Sequence, residues 1–311
     1  MSDGLMKFRD WTLLLLCNLI WASQFVMVKL VQEQMGPLFA AAFPITLATI
    51  LLAAVVAFHG SVRLPKKHLL GFVLLGVGGQ VVAQLFITWG VRLAPASNAA
   101  LLALALPVST AVMAHFWLGE RMNSVRWISF AVAIVAVLAC SGIDWKGLNL
   151  GSSQYFAGNL MIFASVNGSA FYNAYSKKLL HHHTPLEVLL YSYYTALFVL
   201  LPLTVVLEPS GFRNLPHYSA IVWVGLMILA LFQYFLSMVI FLNVLTRLDA
   251  TQAALSNYLI PFFGLLIAAV VLHERLTPFM VAGGVLALGS TLLITLFDRE
   301  GEQSAAPQQS N

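Results

Sequence analysis

Charged residues are scarce in this sequence. Lys, Arg, Asp and Glu together make up 9% of its 311 residues, whereas about 25% is usual for a soluble domain. Hydrophobic residues make up 60%, and the mean hydropathy is +0.86. Apolar runs recur along the whole chain, each long enough for the ~20 residues that a membrane-crossing helix needs. The composition therefore excludes a soluble globular domain and indicates a polytopic membrane protein.

Other features that the sequence lacks exclude further classes of protein and of functional site. The two cysteines, Cys17 and Cys140, both lie inside apolar runs and cannot form a disulfide framework. All 12 acidic residues lie at or beyond the ends of the apolar runs, so no carboxylate is placed for a proton relay at the bilayer centre. Basic residues are scattered through short loops, which does not suggest nucleic acid binding. The first apolar run is too long for a signal peptide and lacks a small-residue cleavage site.

Ten apolar segments predict an all-α membrane protein with ten transmembrane helices. They span approximately residues 11–31, 37–58, 69–91, 95–117, 125–142, 155–176, 185–206, 219–245, 251–272 and 277–297. Short connections indicate that neighbouring helices are antiparallel. The polar tail, 298–311, has no apolar periodicity, and we predict a disordered cytoplasmic segment there.

The two halves of the chain repeat the same pattern. Pro107 and Glu120 in the first half recur as Pro261 and Glu274 in the second, and each pair is 13 residues apart (120 − 107 and 274 − 261). Each proline is expected near the middle of its span, where it removes a backbone hydrogen bond and kinks the helix. Exposed carbonyls at membrane depth are tolerated only against protein or a wet cavity. Matching prolines therefore predict a central cavity, although a packing kink is the plainer alternative.

The loop charges predict how the halves are inserted. With the N-terminus inside, the inner segments hold 11 of the 16 Lys and Arg residues and the outer segments hold four. We therefore expect both termini to be cytoplasmic, in the inner or plasma membrane. The repeats, 11–143 and 155–297, have five spans each, an odd number, so the second enters the membrane in the opposite sense. Inverted repeats of this kind underlie alternating access.

Polar side chains recur at the middle of five spans. Gln80 and Gln84 are spaced i, i+4 on the third span and therefore share one face. The other members are Trp21 and Gln24 on the first span, Ser165, Ser169, Tyr172 and Asn173 on the sixth, Gln233 and Tyr234 on the eighth, and Asn257 and Tyr258 on the ninth. An amide in hydrocarbon must find partners, so these faces should point inward. They predict a wet central cavity, with hydrogen bonding between helices as the alternative for any one residue.

Other polar residues support weaker hypotheses. His115 is the only histidine well inside a predicted span, and an imidazole titrates near neutral pH, so proton coupling is one hypothesis. Its alternative is a structural bond to a neighbouring helix. Glu120 and Glu274 end the fourth and ninth spans and are expected to accept bonds from the start of the following helix. The run 181–183 consists of three histidines, but no carboxylate accompanies it before residue 187, and we predict no metal site.

Several of these segments resemble the EamA family of the drug/metabolite transporter superfamily. Residues 18–25, Asn-Leu-Ile-Trp-Ala-Ser-Gln-Phe, resemble its first-helix motif, and 96–126, with Leu-Gly-Glu-Arg at 118–121, look like its fourth and fifth helices. The stretch 273–277 is similar to the second copy, with His273 where the family usually has Gly, and 173–179 is similar to the sixth-helix end. The resemblance covers roughly 11–297.

The resemblance implies ten helices in two inverted repeats, cytoplasmic termini, and export or exchange of small metabolites. It also implies that helices 1, 3, 4, 6, 8 and 9 line a central cavity. The matching positions give the predicted substrate-binding residues, which are Trp21, Gln24, Gln80, Gln84, Pro107, Ser169, Asn173, Gln233, Asn257 and Pro261.

The leading hypothesis is a secondary transporter, an exporter or exchanger, of a small polar or amphipathic metabolite such as an amino acid. An uncoupled facilitator and a multidrug exporter remain alternatives. A phosphorylated substrate would need cationic partners, and the span centres have none. An intramembrane enzyme would need clustered reactive groups at one depth, so no catalytic residue and no cofactor is predicted; a membrane sensor or scaffold would bind without flux. The expected partners are a small-molecule substrate and the lipid bilayer, without nucleic acid, and a homodimer is left open.

Overall fold

A computed structural model describes residues 3–59, 66–93, 102–103, 105–120, 123–140 and 153–260, with seven single positions further on. The described residues form helices and short connections, without a β-strand among them. Pro261, the tail 298–311 and almost all of the tenth predicted span lie outside these ranges. Within them, the all-α prediction is confirmed.

The helices follow the predicted spans in chain order. They are α1 (Asp3–Gln32), α2 (Pro37–His59), α3 (Leu69–Leu93), α4 (Ala105–Leu118), α5 (Ser124–Cys140), α6 (Ser153–Leu180), α7 (Pro185–Leu207), α8 (Ala220–Leu245) and α9, which begins at Ala250–Leu255 and continues in a 3₁₀ turn, Ser256–Tyr258. A short helix, Pro209–Arg213, and a 3₁₀ turn, Leu215–His217, link α7 to α8. Helices α1 and α6 extend beyond their predicted spans, because a helix can continue into water where hydropathy no longer marks it.

Four of the described helices, α2, α3, α7 and α8, are long and apolar enough to cross a membrane. Their outer faces carry large apolar side chains: Phe58 is 90% exposed and Phe198 is 83% exposed. Aromatic surface of this extent would be unfavourable against water. It is the expected surface of a helix bundle in contact with lipid.

The helix packing reflects the repeated sequence. The main contacts join α3 to α6 and α7, α1 to α8, α2 to α7 and α8, and α4 to α6 and α9. Exchange of the two halves maps α3–α6 onto α8–α1 and α3–α7 onto α8–α2, and it maps α2–α7 and α4–α9 onto themselves. The contacts of the bundle therefore run largely between the repeats.

Helices α3 and α8 share an irregularity. Each contains a π-helical segment, Leu74–Val81 in α3 and Ile228–Leu236 in α8. A π-helix has wider turns than an α-helix and occurs frequently at functional sites. Gln80 lies in the first segment and Gln233 in the second. The wider turns thus occur at equivalent places in the two repeats and carry two of the predicted site residues.

Glycines let α3 approach its neighbours at this segment. A Cβ at Gly76 would lie 1.9 Å from Thr195 Oγ1 and 2.5 Å from the carbonyl oxygen of Ser192 on α7. At Gly78 the nearest atom would be 3.3 Å away, at the edge of the Phe171 ring. The backbone of α7 blocks a side chain at Gly76, whereas a ring edge can move away from one at Gly78.

We expect Gly76→Ala to destabilise the protein by about 1–3 kcal/mol, the usual range for overpacking a filled interior. Thermal unfolding of the purified protein in detergent measures the effect. Gly78→Ala, two residues along the same segment, is the matched control and should leave the melting temperature almost unchanged. Equal shifts for the two variants would contradict the close approach of α3 and α7.

Candidate functional site

A cavity of about 150 Å³ lies between the two repeats. Helices α1, α3, α6, α8 and α9 contribute to its wall, together with Leu106 of α4. Eight of the ten predicted site residues line it: Trp21, Gln24, Gln80, Gln84, Ser169, Asn173, Gln233 and Asn257. The sequence therefore predicted correctly that these residues surround one cavity. Their role in binding a substrate stays a prediction.

Of the other predicted residues, two lie away from the cavity wall and one lies outside the described residues. Pro107 is buried in the first turn of the described helix α4 and is not part of the cavity wall, and Pro261 lies outside the described residues. His115 was expected well inside a span, and this was wrong. It lies in the last turn of α4, where its Nδ1–H donates to the carbonyl oxygen of Glu120 at 2.9 Å. Hydropathy alone misplaced it, because the apolar run continues to the end of the helix.

Gln24 is the centre of a hydrogen-bond network across the cavity. Its Nε2 donates to Gln84 Oε1 at 3.2 Å and to the Tyr234 hydroxyl at 3.3 Å. Its Oε1 accepts from Gln233 Nε2 at 2.8 Å, and Tyr234 donates to Gln84 Oε1 at 2.9 Å. One side chain of α1 therefore joins α3 to α8, that is, the first repeat to the second.

A second layer holds the network in place. Trp21 Nε1 donates to Ser237 Oγ at 2.9 Å, and the Tyr193 hydroxyl donates to the carbonyl oxygen of Tyr234 at 2.6 Å. The Tyr193 bond engages a backbone group in the π-helical segment of α8. Sequence reasoning missed Tyr193 and Ser237, although the spacing of Ser237, four residues after Gln233, was a usable signal.

Tyr172, which also lines the cavity, belongs to a separate chain of hydrogen bonds. Ser192 donates its hydroxyl proton to the carbonyl oxygen of Leu189 at 2.8 Å, so at 3.2 Å from Tyr172 it must accept the tyrosine's proton. The chain leads from the cavity into α7.

Some buried polar atoms of the cavity-lining residues have no hydrogen-bond partner among the described residues. They are Gln80 Oε1, Gln233 Oε1 and both side-chain polar atoms of Asn257. These three residues are only 3%, 6% and 4% exposed, respectively. Buried polar groups are normally hydrogen-bonded, so the hydrogen-bond network around the cavity is incomplete at these atoms. No charged side chain is among the described residues of the wall.

One end of the bundle, which we call the charged end, carries Asp10, Glu120, Arg126, Lys177, Arg247 and Asp249. There Glu120, only 7% exposed, accepts bonds from the backbone N–H groups of Ala250 and Thr251 at 2.8 and 3.0 Å. It also accepts from the Thr251 hydroxyl at 2.6 Å. The acceptance of helix N-terminal donors was predicted, but the partner is α9 rather than the following helix. Gly119, with a φ of +71°, ends α4 beside α9.

Ion pairs surround this contact at the charged end. Arg126, 1% exposed, lies 2.7 Å from Asp249, whose other oxygen is 3.6 Å from Lys177 Nζ. Asp10 binds Arg247 through two bonds of 2.8 Å. The Glu120, Arg126–Asp249 and Asp10–Arg247 contacts each join the first repeat to the second. An opening at the charged end would have to separate all three.

The opposite end is held by uncharged partners and one carboxylate. Gln34 Nε2 donates to Ser219 Oγ at 2.9 Å, and Ser219 N–H donates back to Gln34 Oε1 at 3.0 Å. Glu208, at the end of α7, accepts from the backbone N–H groups of Leu38 and Phe39 at 3.2 and 2.9 Å. These contacts also run between the repeats. Each end thus has one glutamate bound to the N-terminus of a helix in the other repeat.

Histidines cluster outside the bundle centre. His68 Nδ1 and His183 Nε2 are 2.8 Å apart, and the rings of His68 and His182 stack at 5.0 Å. Burial, with the neighbouring rings of His68 and His182, lowers the pKa of His183. In the part of the chain that the structure describes, no three His, Cys, Asp or Glu side chains are grouped to hold a metal ion.

Comparison with known proteins relates the whole chain to membrane carriers. The profile of the EamA-like transporter family matches residues 11–142 and 156–296. A protein of Streptantibioticus cattleyicolor named "Probable terminal-alkyne amino-acid exporter" is 29% identical over 285 residues, covering 90% of this chain and 91% of that protein. A protein of Escherichia coli named "Probable amino-acid metabolite efflux pump" is 27% identical over 299 residues, covering 94% and 96%.

A solved crystal structure shares the fold. It superposes with a TM-score of 0.78 and covers 94% of this chain and 98% of its own, at 18% sequence identity. At that identity the likeness concerns the fold alone. The family profile, by its two matches, indicates one copy of the repeat in each half of the chain.

Proposed function

Because the chain belongs to the EamA-like transporter family, we propose that it exports a small amino acid or a closely related metabolite through the central cavity. Membership of this family makes the protein a multi-pass membrane transporter. Our proposal concerns its substrate and the direction of transport. The observation that carries the proposal is the uncharged, amide-rich cavity between the two repeats. Such a cavity suits a molecule that is polar without net charge.

Two further observations support the substrate class. The relatives from S. cattleyicolor and E. coli are named as exporters of amino acids or their metabolites. The cavity of about 150 Å³ is smaller than the roughly 300 Å³ at which pockets for drug-sized ligands begin. A small metabolite therefore fits better than a bulky drug. Without cations in the described wall, a phosphorylated compound would lack partners for its charge.

Alternating access is the proposed mechanism. The contacts at both ends run between the repeats, so either end opens when the repeats tilt apart there. The excess of Lys and Arg in the inner segments supports a cytoplasmic location for the charged end. In this orientation the described state is closed to the cytoplasm by ion pairs and by Glu120. Substrate loading then requires the charged end to open, and release requires the opposite end to open.

Flux through liposomes tests the proposal. We expect purified protein to move radiolabelled neutral L-amino acids across the bilayer, and Gln24→Leu to reduce flux at least tenfold, because three hydrogen bonds that join α1 to α3 and α8 are lost. The matched control is Asn167→Leu, which removes an amide on α6 that bonds only to its own helix, at Phe163 O. Assays with and without a pH gradient separate coupled export from facilitation. Ligand binding without flux of any tested amino acid would contradict transport and favour a sensor.

A further inference from the structure

The central cavity changes in chemical character along helix α6. This helix runs toward the charged end, where Lys177 lies in its last turn. Ser169 and Asn173 line the cavity on the side nearer that end, and Ile162 and Val166 line it farther away. Their spacing places all four on one face of the helix. This face therefore passes from apolar to polar as α6 approaches the charged end.

Helix α3 packs beside α6 in the antiparallel direction. A Cβ at Gly79 would lie 3.0 Å from the Tyr172 Cβ, and a Cβ at Gly90 would lie 2.5 Å from Ile162 Cγ1. The C-terminal part of α3 is thus level with the N-terminal part of α6. Ile87, which lines the cavity one turn before Gly90, therefore lies beside the apolar part of α6.

Helix α4 and the residues just before it complete an apolar end of the cavity. Ala103 and Leu106 pack with Ile87 against Ile162 and Val166, in a cluster separate from the main core. We call these five residues the apolar half. Ile87, Ala103 and Leu106 are half-buried and line the cavity, so part of their surface is left for a ligand.

The one polar side chain between Ile162 and Val166 on the cavity wall is already bonded. Ser165 donates its hydroxyl proton to the carbonyl oxygen of Ala83 at 2.6 Å and is only 4% exposed. Its proton is therefore not available to a ligand. A polar group that entered the apolar half would lose water without gaining a donor from these residues, which is unfavourable.

We propose that the apolar half binds an aliphatic side chain of the substrate, and that Ile87 and Leu106 determine which side chains are accepted. This inference rests on the proposed function and names the substrate class within it, neutral amino acids with an aliphatic side chain. The amino and carboxylate groups lie toward the charged end, beside Ser169 and Asn173. From Val166 to Asn173 the helix rises roughly 10 Å, which leaves room for both ends of an amino acid.

Binding of matched amino acids to the full-length protein tests the assignment. Asparagine has nearly the shape of leucine but carries an amide, and norvaline is alanine with a longer apolar chain. Ligand-induced increases in melting temperature give the relative affinities. We expect leucine to bind at least tenfold more tightly than asparagine, because the amide would be buried without partners. Norvaline should exceed alanine by roughly fourfold for each added methylene.

Two outcomes of these measurements would overturn the proposal. One is an affinity for asparagine equal to or above that for leucine. The other is an affinity for alanine equal to or above that for norvaline.

A variant of the apolar half tests its residues directly. Leu106→Ala enlarges this end of the cavity and should raise the affinity for phenylalanine relative to leucine at least fivefold. Val112→Ala, on the same helix, is the matched control; Val112 is 49% exposed on the outer surface, so its variant should leave the ratio unchanged. If Leu106→Ala fails to fold, Ile87→Ala makes the same test from α3. An unchanged ratio in every folded variant would overturn the assignment.

The two levels of the hypothesis fail differently. If leucine and asparagine are transported equally well, binding of the side chain in the apolar half is wrong and the export of amino acids stands. If no amino acid is bound or moved, the proposed function itself is wrong.

Discussion

Arg126→Ala should strongly destabilise the protein, by about 3–5 kcal/mol, the usual effect of breaking a buried ion pair. Arg126 is 1% exposed and lies 2.7 Å from Asp249. Its removal leaves Asp249 with Lys177, at 3.6 Å, as its remaining ionic partner among the described residues. The shift in thermal unfolding of the detergent-solubilised protein measures the loss.

Two further variants test whether the loss of stability comes from breaking the buried ion pair. Arg9→Ala removes a cation that is 47% exposed and lies 3.4 Å from Asp10; because water solvates this cation, the pair should contribute at most about 1 kcal/mol. The double variant Arg126→Met with Asp249→Asn should recover part of the stability lost by Arg126→Ala, because it also removes the buried carboxylate that Arg126 neutralises. A stability of Arg126→Ala equal to that of Arg9→Ala would refute the buried pair.

Glu120→Ala should open the charged end. The carboxylate accepts three bonds from the start of α9, and those donors become hydrated when the end opens. Hydrogen bonds to a charged group contribute about 1.5–3 kcal/mol, and every 1.4 kcal/mol is a factor of about ten in an equilibrium. Loss of the carboxylate should therefore raise the population open at the charged end roughly ten- to a hundredfold.

Thiol labelling measures this shift. Ser169→Cys in a background without Cys17 and Cys140 places a reactive group on the cavity wall, and a membrane-impermeant reagent is applied from either side. With Glu120→Ala, labelling from the side of the charged end should accelerate at least tenfold. Glu208→Ala is the matched variant at the opposite end and should accelerate labelling from the other side. If Glu120→Ala changed neither rate, Glu120 would have no part in closure.

Much of the helix arrangement could be predicted from local properties of the sequence. The length of each apolar run determines where a helix can cross the membrane. Helices α2, α7 and α8 begin and end within one residue of their predicted spans. Polar side chains in an apolar span are unfavourable against lipid and therefore face the interior of the bundle. The positions of Gln24, Gln80 and Asn257 on the cavity wall could thus also be predicted from the sequence. These are local consequences of hydrophobicity and helical periodicity.

Features that depend on two distant segments were not predictable. The π-helical segments of α3 and α8 change the register of the side chains that follow, and no residue type encodes them uniquely. The partner of Glu120 was assigned to the next helix because sequence shows neighbours in the chain and not in space. The direction of each amide depends on a chain of donors and acceptors, such as Gln233 donating to Gln24, that only coordinates reveal.

The absence of ionised side chains from the described cavity wall has an electrical consequence. A zwitterion adds no net charge, so the occupied and empty sites would cross the membrane field without electrical work. A cationic amine carries one charge, and export against 100 mV, inside negative, opposes it by about 2.3 kcal/mol, roughly fiftyfold. The voltage of the cell would therefore retain a cationic amine that entered the cavity, whereas it would not oppose the export of a zwitterion.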